Sequence, residues 1–290
     1  MSRDDTAGQG RAWITGAGGL IGSYLVKAAE RYAPQFKVIP LTRADLDLTD
    51  LAAVERRFLA DRPQLVIHCA AMSKTVECQA NPAQARRNNV EATAHLASLA
   101  AEADFIFLST DLVFNGRKGN YVETDPVHPF NVYGETKVEA EAIVTSNARH
   151  AVVRTSLNSG ASPSGKTAYN EQFRAVWASG KPLKLFYDEY RAPISATVTV
   201  RALWEFATHP RGGVWHLAGT ERLSRWQIGQ LLAARHPELM ARVESCSRLE
   251  YLGAPRPEDT SLNSSKIQQL LSFPLPGLTS WLRQNPDDPF

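Results

Sequence analysis

The sequence predicts an α/β fold: a doubly wound parallel sheet with a smaller C-terminal lobe. Three observations predict it. Short apolar runs alternate with segments of helical period through the first half, as parallel strands joined by crossover helices require. The runs are apolar on consecutive residues, as in strands covered on both faces. A glycine cluster, "GAGGLIG" (16–22), stands where the first run passes into the first helical segment.

Taken in order, "RAWIT" (11–15) reads as the first strand. "LIGSYLVKAAERY" (20–32) places Leu20, Tyr24, Ala28 and Tyr32 at four-residue intervals, with Leu25 and Ala29 widening the stripe of a helix that packs on a sheet. "KVIPL" (37–41) is the second strand, a helix near 50–61 follows the cap-like "TD", and "QLVIHCAA" (64–71) is the third strand. Residues 81–103 read as one long alanine-rich helix, followed by the strands "FIFLST" (105–110) and "AVVRTS" (151–156). The polar end of "FIFLST" falls at the sheet edge where ligands bind. Beyond it the pattern loosens. "NSGASPSGKT" (158–167) reads as a mobile cover or a linker, "PLKLFYDE" (182–189) and "GVWHLAG" (213–219) as strands, and "SRWQIGQLLAARH" (224–236) as a helix. Proline-punctuated stretches near the end suggest a loop-rich lobe. The expected division is residues 1–157 for the sheet domain, rejoined by about 192–218, and 158–290 mainly for the lobe.

At 290 residues the chain can bury a substantial core. A hydrophobic content of 43%, a charged content of 21% and a net charge of +2 describe a globular protein with no general electrostatic pull toward nucleic acid or an anionic membrane. The polar opening "MSRDDTAGQGR" lacks the apolar stretch of a signal peptide and reads as a frayed lead-in, and no run approaches a membrane span. Three cysteines without CxxC spacing (Cys69, Cys78, Cys246) read as free thiols, which fits a cytoplasmic location. No HExxH, zinc-spaced His/Cys cluster or GxSxG is present, so no metal is expected and no acyl-enzyme chemistry.

The glycine loop is the strongest single signal. Between a strand and a helix, Gly16 permits a tight turn, Gly19 lets the backbone approach a pyrophosphate, and Gly22 allows close helix–strand contact. The helix N-terminus adds free N–H groups and partial positive charge. Gly16, Gly19, Leu20, Ile21 and Gly22 are therefore the candidates for holding a dinucleotide. At the end of the second strand stands "LTR" (41–43), with no acid until Asp45. An acid there would bind a ribose 2′-hydroxyl, whereas Arg43 suits a 2′-phosphate and favours NADPH, with NADH possible. "YGETK" (133–137) adds Tyr133 and Lys137, which share a helical face at i and i+4. A free phenol titrates near about 10, and a nearby cation stabilises its anion.

With "LDLTD" (46–50), "HCAA", "NVEAT" (89–93), "LSTDLVF" (108–114), "NVYGETK" and "VRTS" in order, the chain resembles an extended short-chain dehydrogenase/reductase, and within it the dTDP-4-dehydrorhamnose reductase family. The resemblance is strong over 11–156 and continues through "DEYRAPI" (188–194), "GVWHLAG" and "RPEDTSLNSSK" (256–266). It implies a Rossmann-like fold and NAD(P)H-dependent hydride transfer to the keto group of a nucleotide-linked deoxysugar. In that reaction Tyr133 protonates the oxygen, Thr110 donates a hydrogen bond to it, and Lys137 lowers the phenol pKa and orients the cofactor. Asp47 and Leu48 match an adenine-contacting pair, and Ala70, Ala71, Met72 and Ser73 match the loop along the cofactor's centre. Asp111 matches a sugar contact. Asn89 matches a proton-relay asparagine, although a structural hydrogen-bonding role is at least as natural. Arg191 suits a diphosphate or an ion pair with an acid such as Glu189. The family commonly forms dimers, so a homodimer is implied.

Sugar-nucleotide dehydratases usually carry an acid after the Thr–Asp pair, and Leu112 stands there instead. Epimerases share the Tyr and Lys and remain an alternative. Where the rhamnose-forming enzymes commonly have "RTSWVY", this chain has "RTSLNSG", which puts Leu157 in place of an aromatic wall and leaves the keto substrate open. A different class of function is a non-catalytic NAD(P)-binding regulator, as in the regulatory subunit of methionine adenosyltransferase, which is similar to the same family.

Overall fold

A computed structural model describes residues 9–253 and 255–290. The polar opening segment, residues 1–8, lies outside the described residues, as does Ala254.

The first half builds strands and helices in alternation. They are β1 (Gly10–Thr15), α1 (Leu20–Tyr32), β2 (Phe36–Leu41), α2 (Leu51–Asp61) and β3 (Leu65–His68), then α3 (Thr75–Ala80) and α4 (Pro82–Arg86). A π-helical turn (Arg87–Glu91) leads into α5 (Ala92–Leu99). β4 (Asp104–Thr110), α6 (Val132–Thr145) and β5 (Ala151–Thr155) complete this part. The strand and helix readings of the sequence fall within a residue or two of these bounds for β1, α1, β2, α2 and β5. The long helix expected over 81–103 is instead interrupted. At Arg87–Glu91 it widens to a π turn, in which the Ala92 N–H reaches the Arg87 carbonyl five residues back.

With a strand from the second half, β10 (Gly213–Leu217), the sheet order is β10-β5-β4-β3-β1-β2, every pairing parallel. The period of two sorts the strands' side chains between two cores. Ala12, Ile14, Leu65, Ile67, Ile106 and Val153 face one layer with Leu25 of α1. Trp13, Val66, Phe105, Phe107 and Val152 face the other with Phe58, Leu96 and Val144 from α2, α5 and α6. Because both faces are covered, the strands must be apolar throughout, which is why they read as unbroken runs.

The second half supplies β6 (Asn158–Ser159), α7 (Tyr169–Ala178), β7 (Leu183–Phe186), β8 (Tyr190–Arg191), β9 (Ile194–Ser195) and α8 (Ala196–Thr208). After it come β10 (Gly213–Leu217), β11 (Leu223–Ser224), α9 (Arg225–Arg235), β12 (Val243–Cys246), α10 (Ser265–Gln268) and α11 (Leu278–Gln284). α8 packs along α1, and the Trp204 indole N–H donates to the Leu25 carbonyl at 3.0 Å. β10 pairs with β5. The remaining strands form three two-stranded ribbons, β6 with β9, β7 with β12 and β8 with β11. A separate core gathers Phe173, Trp177, Leu185, Ile228 and Leu232, with Leu157 packed against it. The Gly/Ser stretch after β6 is tied down. Glu171 accepts from the Ser162 N–H and hydroxyl, both at 2.7 Å, and the Ala161 N–H donates to the Tyr24 hydroxyl at 3.0 Å. Among the described residues no helix is long and apolar enough to cross a membrane.

Candidate active site

All six strands of the sheet end at the same edge, and the sequence-predicted residues gather there. At the end of β1, Gly16 has φ +68, and a Cβ on it would lie 2.7 Å from the Ala70 amide nitrogen. A Cβ on Gly22 would meet the Gly16 carbonyl oxygen at 2.2 Å. Both glycines are required by close backbone approach. Gly19 caps α1 with no side-chain hydrogen bond, and no acid stands in the first turn, so the helix presents its orphan N–H groups uncapped. This is the surface a pyrophosphate needs, and the residues present fit a dinucleotide. Leu20 and Ile21 contribute only backbone here, because their side chains are buried in the sheet core.

β3 is locked beside this turn. The Thr15 hydroxyl and His68 Nδ1 lie 2.6 Å apart, and His68 Nε2 and the Thr93 hydroxyl 3.0 Å. Burial pushes His68 down to about 3, so its ring is neutral. The following loop carries Ala70, Ala71, Met72 and Ser73. Asn89, in the π turn, accepts from the Met72 N–H at 2.8 Å and donates to the Met72 carbonyl and the Thr136 hydroxyl, each at 3.0 Å. The wide turn therefore has a structural use: it clamps this loop to α6.

Beyond β2, Arg43 is exposed and stands 3.6 Å from Asp47. Asp47 accepts from the Thr49 N–H and hydroxyl, which hold its carboxyl below the ordinary value. Leu48 packs against the second core layer.

At the end of β4, Thr110 and Asp111 enter a single 3₁₀ turn. The Thr110 hydroxyl accepts from the Leu112 N–H at 3.2 Å and donates to Asp111 at 3.3 Å. Asn131 caps α6 through the Gly134 N–H, which sets Tyr133 in the first turn. Burial raises the Tyr133 phenol pKa well above its usual range, with Cys78 and Asp111 adding to the rise. The Thr110 hydroxyl and the Arg191 guanidinium pull it down. The structure thus brings Tyr133 and Thr110 together. Lys137 lies on the same helix, but its ammonium donates to the Leu108 carbonyl at 2.8 Å and sits 3.7 Å from the Phe107 ring centre. Burial lowers it to about 7, while Glu141 and Cys69 hold it up. In this arrangement the Lys137 ammonium is engaged by Leu108 and Phe107, and the cation that pulls the Tyr133 phenol down is the Arg191 guanidinium.

Asp111 and Arg191 pair with each other, and Arg191 also meets Glu189, the acid the sequence reading offered it. Asp111 is 0% exposed. It accepts from Arg191 Nε at 2.6 Å, from Arg191 Nη2, and from the Ser156 hydroxyl at 2.7 Å. Both of its oxygens accept from protein partners, and through them it holds Arg191. Arg191 lies 3.8 Å from Glu189, and Glu189 takes a two-pronged contact from Arg256 at 2.7 and 2.9 Å. Leu112, Glu189, Arg191 and Arg256 line a cavity of about 50 Å³ with Phe130 and Tyr251. Behind it Arg225 is buried near Tyr169 and Phe173, is pushed down to about 10 by burial, and leaves Nη1 without a partner.

Sequence reasoning missed Glu141, Arg225 and Arg256. Glu141 falls four residues after Lys137 and binds Arg154 at 2.7 Å and the Ser109 hydroxyl at 2.6 Å, fixing α6 to β4 and β5. The spacing Tyr133, Lys137, Glu141 is a helical stripe visible in the sequence. Nothing local marks Arg225 or Arg256.

A parallel sheet with a glycine-lined turn after its first strand, and a phenol beside a strand-end hydroxyl, defines an NAD(P)-dependent oxidoreductase of the short-chain dehydrogenase/reductase type. Comparison with known proteins narrows the class. The RmlD substrate binding domain family matches residues 11–285, and the chain belongs to that family. It is 31% identical to dTDP-4-dehydrorhamnose reductase of Mycolicibacterium smegmatis, over 91% of this chain and 81% of the relative. It is 29% identical to methionine adenosyltransferase 2 subunit beta of Xenopus laevis, over 92% of this chain and 84% of the relative. A crystal structure of a dTDP-4-dehydrorhamnose reductase from Clostridium acetobutylicum superposes with a TM-score of 0.87 at 25% identity, covering 96% of this chain and 98% of the other.

Proposed function

We propose that the protein is an NADPH-dependent reductase of a nucleotide-linked ketosugar, in the first instance a dTDP-4-keto-6-deoxysugar. The observation that carries the reading is the placement of Thr110, at the end of β4, and Tyr133, in the first turn of α6, at the same sheet edge as the glycine turn. Bound in that groove, the reduced dinucleotide supplies a hydride and its electron pair. Tyr133 gives its proton to the carbonyl oxygen as the C=O bond becomes C–O–H, and Thr110 turns its hydroxyl toward the same oxygen. A raised phenol pKa keeps Tyr133 protonated at neutral pH, and Arg191 lightens the cost of the phenolate left behind. Lys137, one turn on and buried, holds its proton near neutrality against the Leu108 carbonyl.

The lobe supports an anionic substrate. Arg191 and Arg256 line the small cavity against one carboxylate, Glu189, and Arg225 lies buried behind it with Nη1 free of a partner among the described residues. A diphosphate suits that imbalance. Leu112 after Asp111 supplies no acid for work on a neighbouring carbon, which favours plain reduction over dehydration.

A second reading, a non-catalytic regulatory subunit, is favoured by the match to methionine adenosyltransferase 2 subunit beta over most of the chain. One experiment separates the two. NADPH oxidation is followed with a panel of dTDP- and UDP-linked ketosugars, and the reductase reading expects turnover that Tyr133→Phe cuts by about 10²–10⁴-fold while cofactor affinity stays the same. Cofactor binding with no turnover on any ketosugar, together with co-purification of a partner protein, would establish the regulator instead.

A further inference from the structure

A larger cavity, about 340 Å³, lies beyond the end of β2 and is lined by Arg43, Thr49, Ala83, Gln84, Arg87 and Asn88. It is within the range of roughly 300–1,000 Å³ typical of small-molecule sites. Its two walls come from different parts of the chain. Arg43 and Thr49 belong to the loop after β2. Ala83 and Arg87 are four residues apart, as are Gln84 and Asn88, so one face of α4 and the start of the π turn form the other wall.

The charges in this cavity are unbalanced. Arg86 turns away to pair with Glu139 on α6. Arg87 has no carboxylate partner among the described residues. The acid nearest Arg43 is Asp47 at 3.6 Å, and one oxygen of Asp47 is already taken by Thr49. The lining therefore holds two guanidiniums, two carboxamides and a hydroxyl, with no carboxylate. Two like charges across one cavity repel unless an anion sits between them, and a phosphate offers a guanidinium the best geometric match.

We propose that Arg87 is the second cation of a 2′-phosphate subsite, so that NADPH is distinguished from NADH by a clamp of Arg43 from the β2 loop and Arg87 from α4. The inference rests on the NADPH reading above and adds to it a residue from a separate element. Selectivity is divided between the two arginines, and neither alone supplies it. Because both are exposed, salt weakens the preference.

Binding of 2′,5′-ADP and of 5′-AMP to the full chain, measured by calorimetry, tests this directly, because the two ligands differ only in the 2′-phosphate. Wild type binds 2′,5′-ADP more tightly. Arg87→Ala weakens 2′,5′-ADP by about tenfold, the worth of a charge-assisted hydrogen bond, and leaves 5′-AMP affinity as it was, which also reports an intact fold. Arg87→Lys recovers part of the loss, and the NADPH/NADH ratio of kcat/KM falls in parallel. If Arg43→Ala removes the preference and Arg87→Ala does not, the clamp is wrong and the NADPH reading stands. If wild type itself binds the two ligands equally, the NADPH reading fails along with it.

Discussion

Lys137 shows how burial changes what a motif means. Its ammonium is held by the Leu108 carbonyl and the Phe107 ring, and desolvation lowers it to about 7 from an ordinary 10.5. Below pH 7 the residue is charged both folded and unfolded, and the burial cost is felt in full. Between about 7 and 10.5 the folded chain has released a proton that the unfolded chain still holds, so stability rises with pH across that window. Lys137→Met is expected to melt higher than wild type below pH 7, with the gap narrowing toward pH 10. Thermal melts of both proteins over that range check it, and the slope of their difference with pH carries the test. The shared face of Tyr133 and Lys137 was legible from a spacing of four. Desolvation, which moves the lysine down and the phenol up, depends on residues from β3, β4 and α3 and leaves no trace in the spacing. Asp111 is similar. Its position after Thr110 is plain in the sequence, but its capture by Arg191, eighty residues on, is not.

At the scale of elements, the first half was readable because its periods are long enough to count. Strands of four to seven residues between two covered faces leave unbroken apolar runs, and the glycine turn is marked by composition as well as place. Gly22 makes the turn sensitive: a Cβ there meets the Gly16 carbonyl at 2.2 Å and the Ala17 Cα at 2.9 Å, both backbone atoms that cannot swing aside. Gly22→Ala is expected to cost about 1–3 kcal/mol as α1 is pushed off β1. Urea unfolding measures that cost, and a 5′-AMP titration should show weakened binding in the same variant. The π turn escaped notice because its residues keep right-handed helical dihedrals and good helix formers surround it. Asn89, a weak helix former in the middle of such a segment, was the one local sign. The ribbons β6, β8, β9 and β11 are two residues each, too short for any period.

Across the whole molecule, a chain of charges ties the sheet edge to the lobe: Asp111 to Arg191, then Glu189, then Arg256. Glu189 is fully buried, and removing it takes the two-pronged partner from Arg256 and the second acid from Arg191. Glu189→Ala is therefore expected to destabilise by about 3–5 kcal/mol, and to raise substrate KM more than cofactor Kd. Denaturation curves and steady-state kinetics with each ligand varied would show it, and a variant as stable as wild type would mean the ladder contributes nothing. Its members span residues 111 to 256, so only folding assembles them. The same long reach governs how the polypeptide is threaded. The segment that leaves β5 to build the lobe comes back as α8, whose Trp204 is fully buried and seated under α1, and as β10, the outermost strand beside β5. The lobe is thus an excursion from the nucleotide-holding half rather than an appendage to it. A fragment stopping at Leu157 would bare a greasy flank and a raw strand margin, and would be expected to clump instead of standing alone. The excursion cannot be lent out as a detachable part.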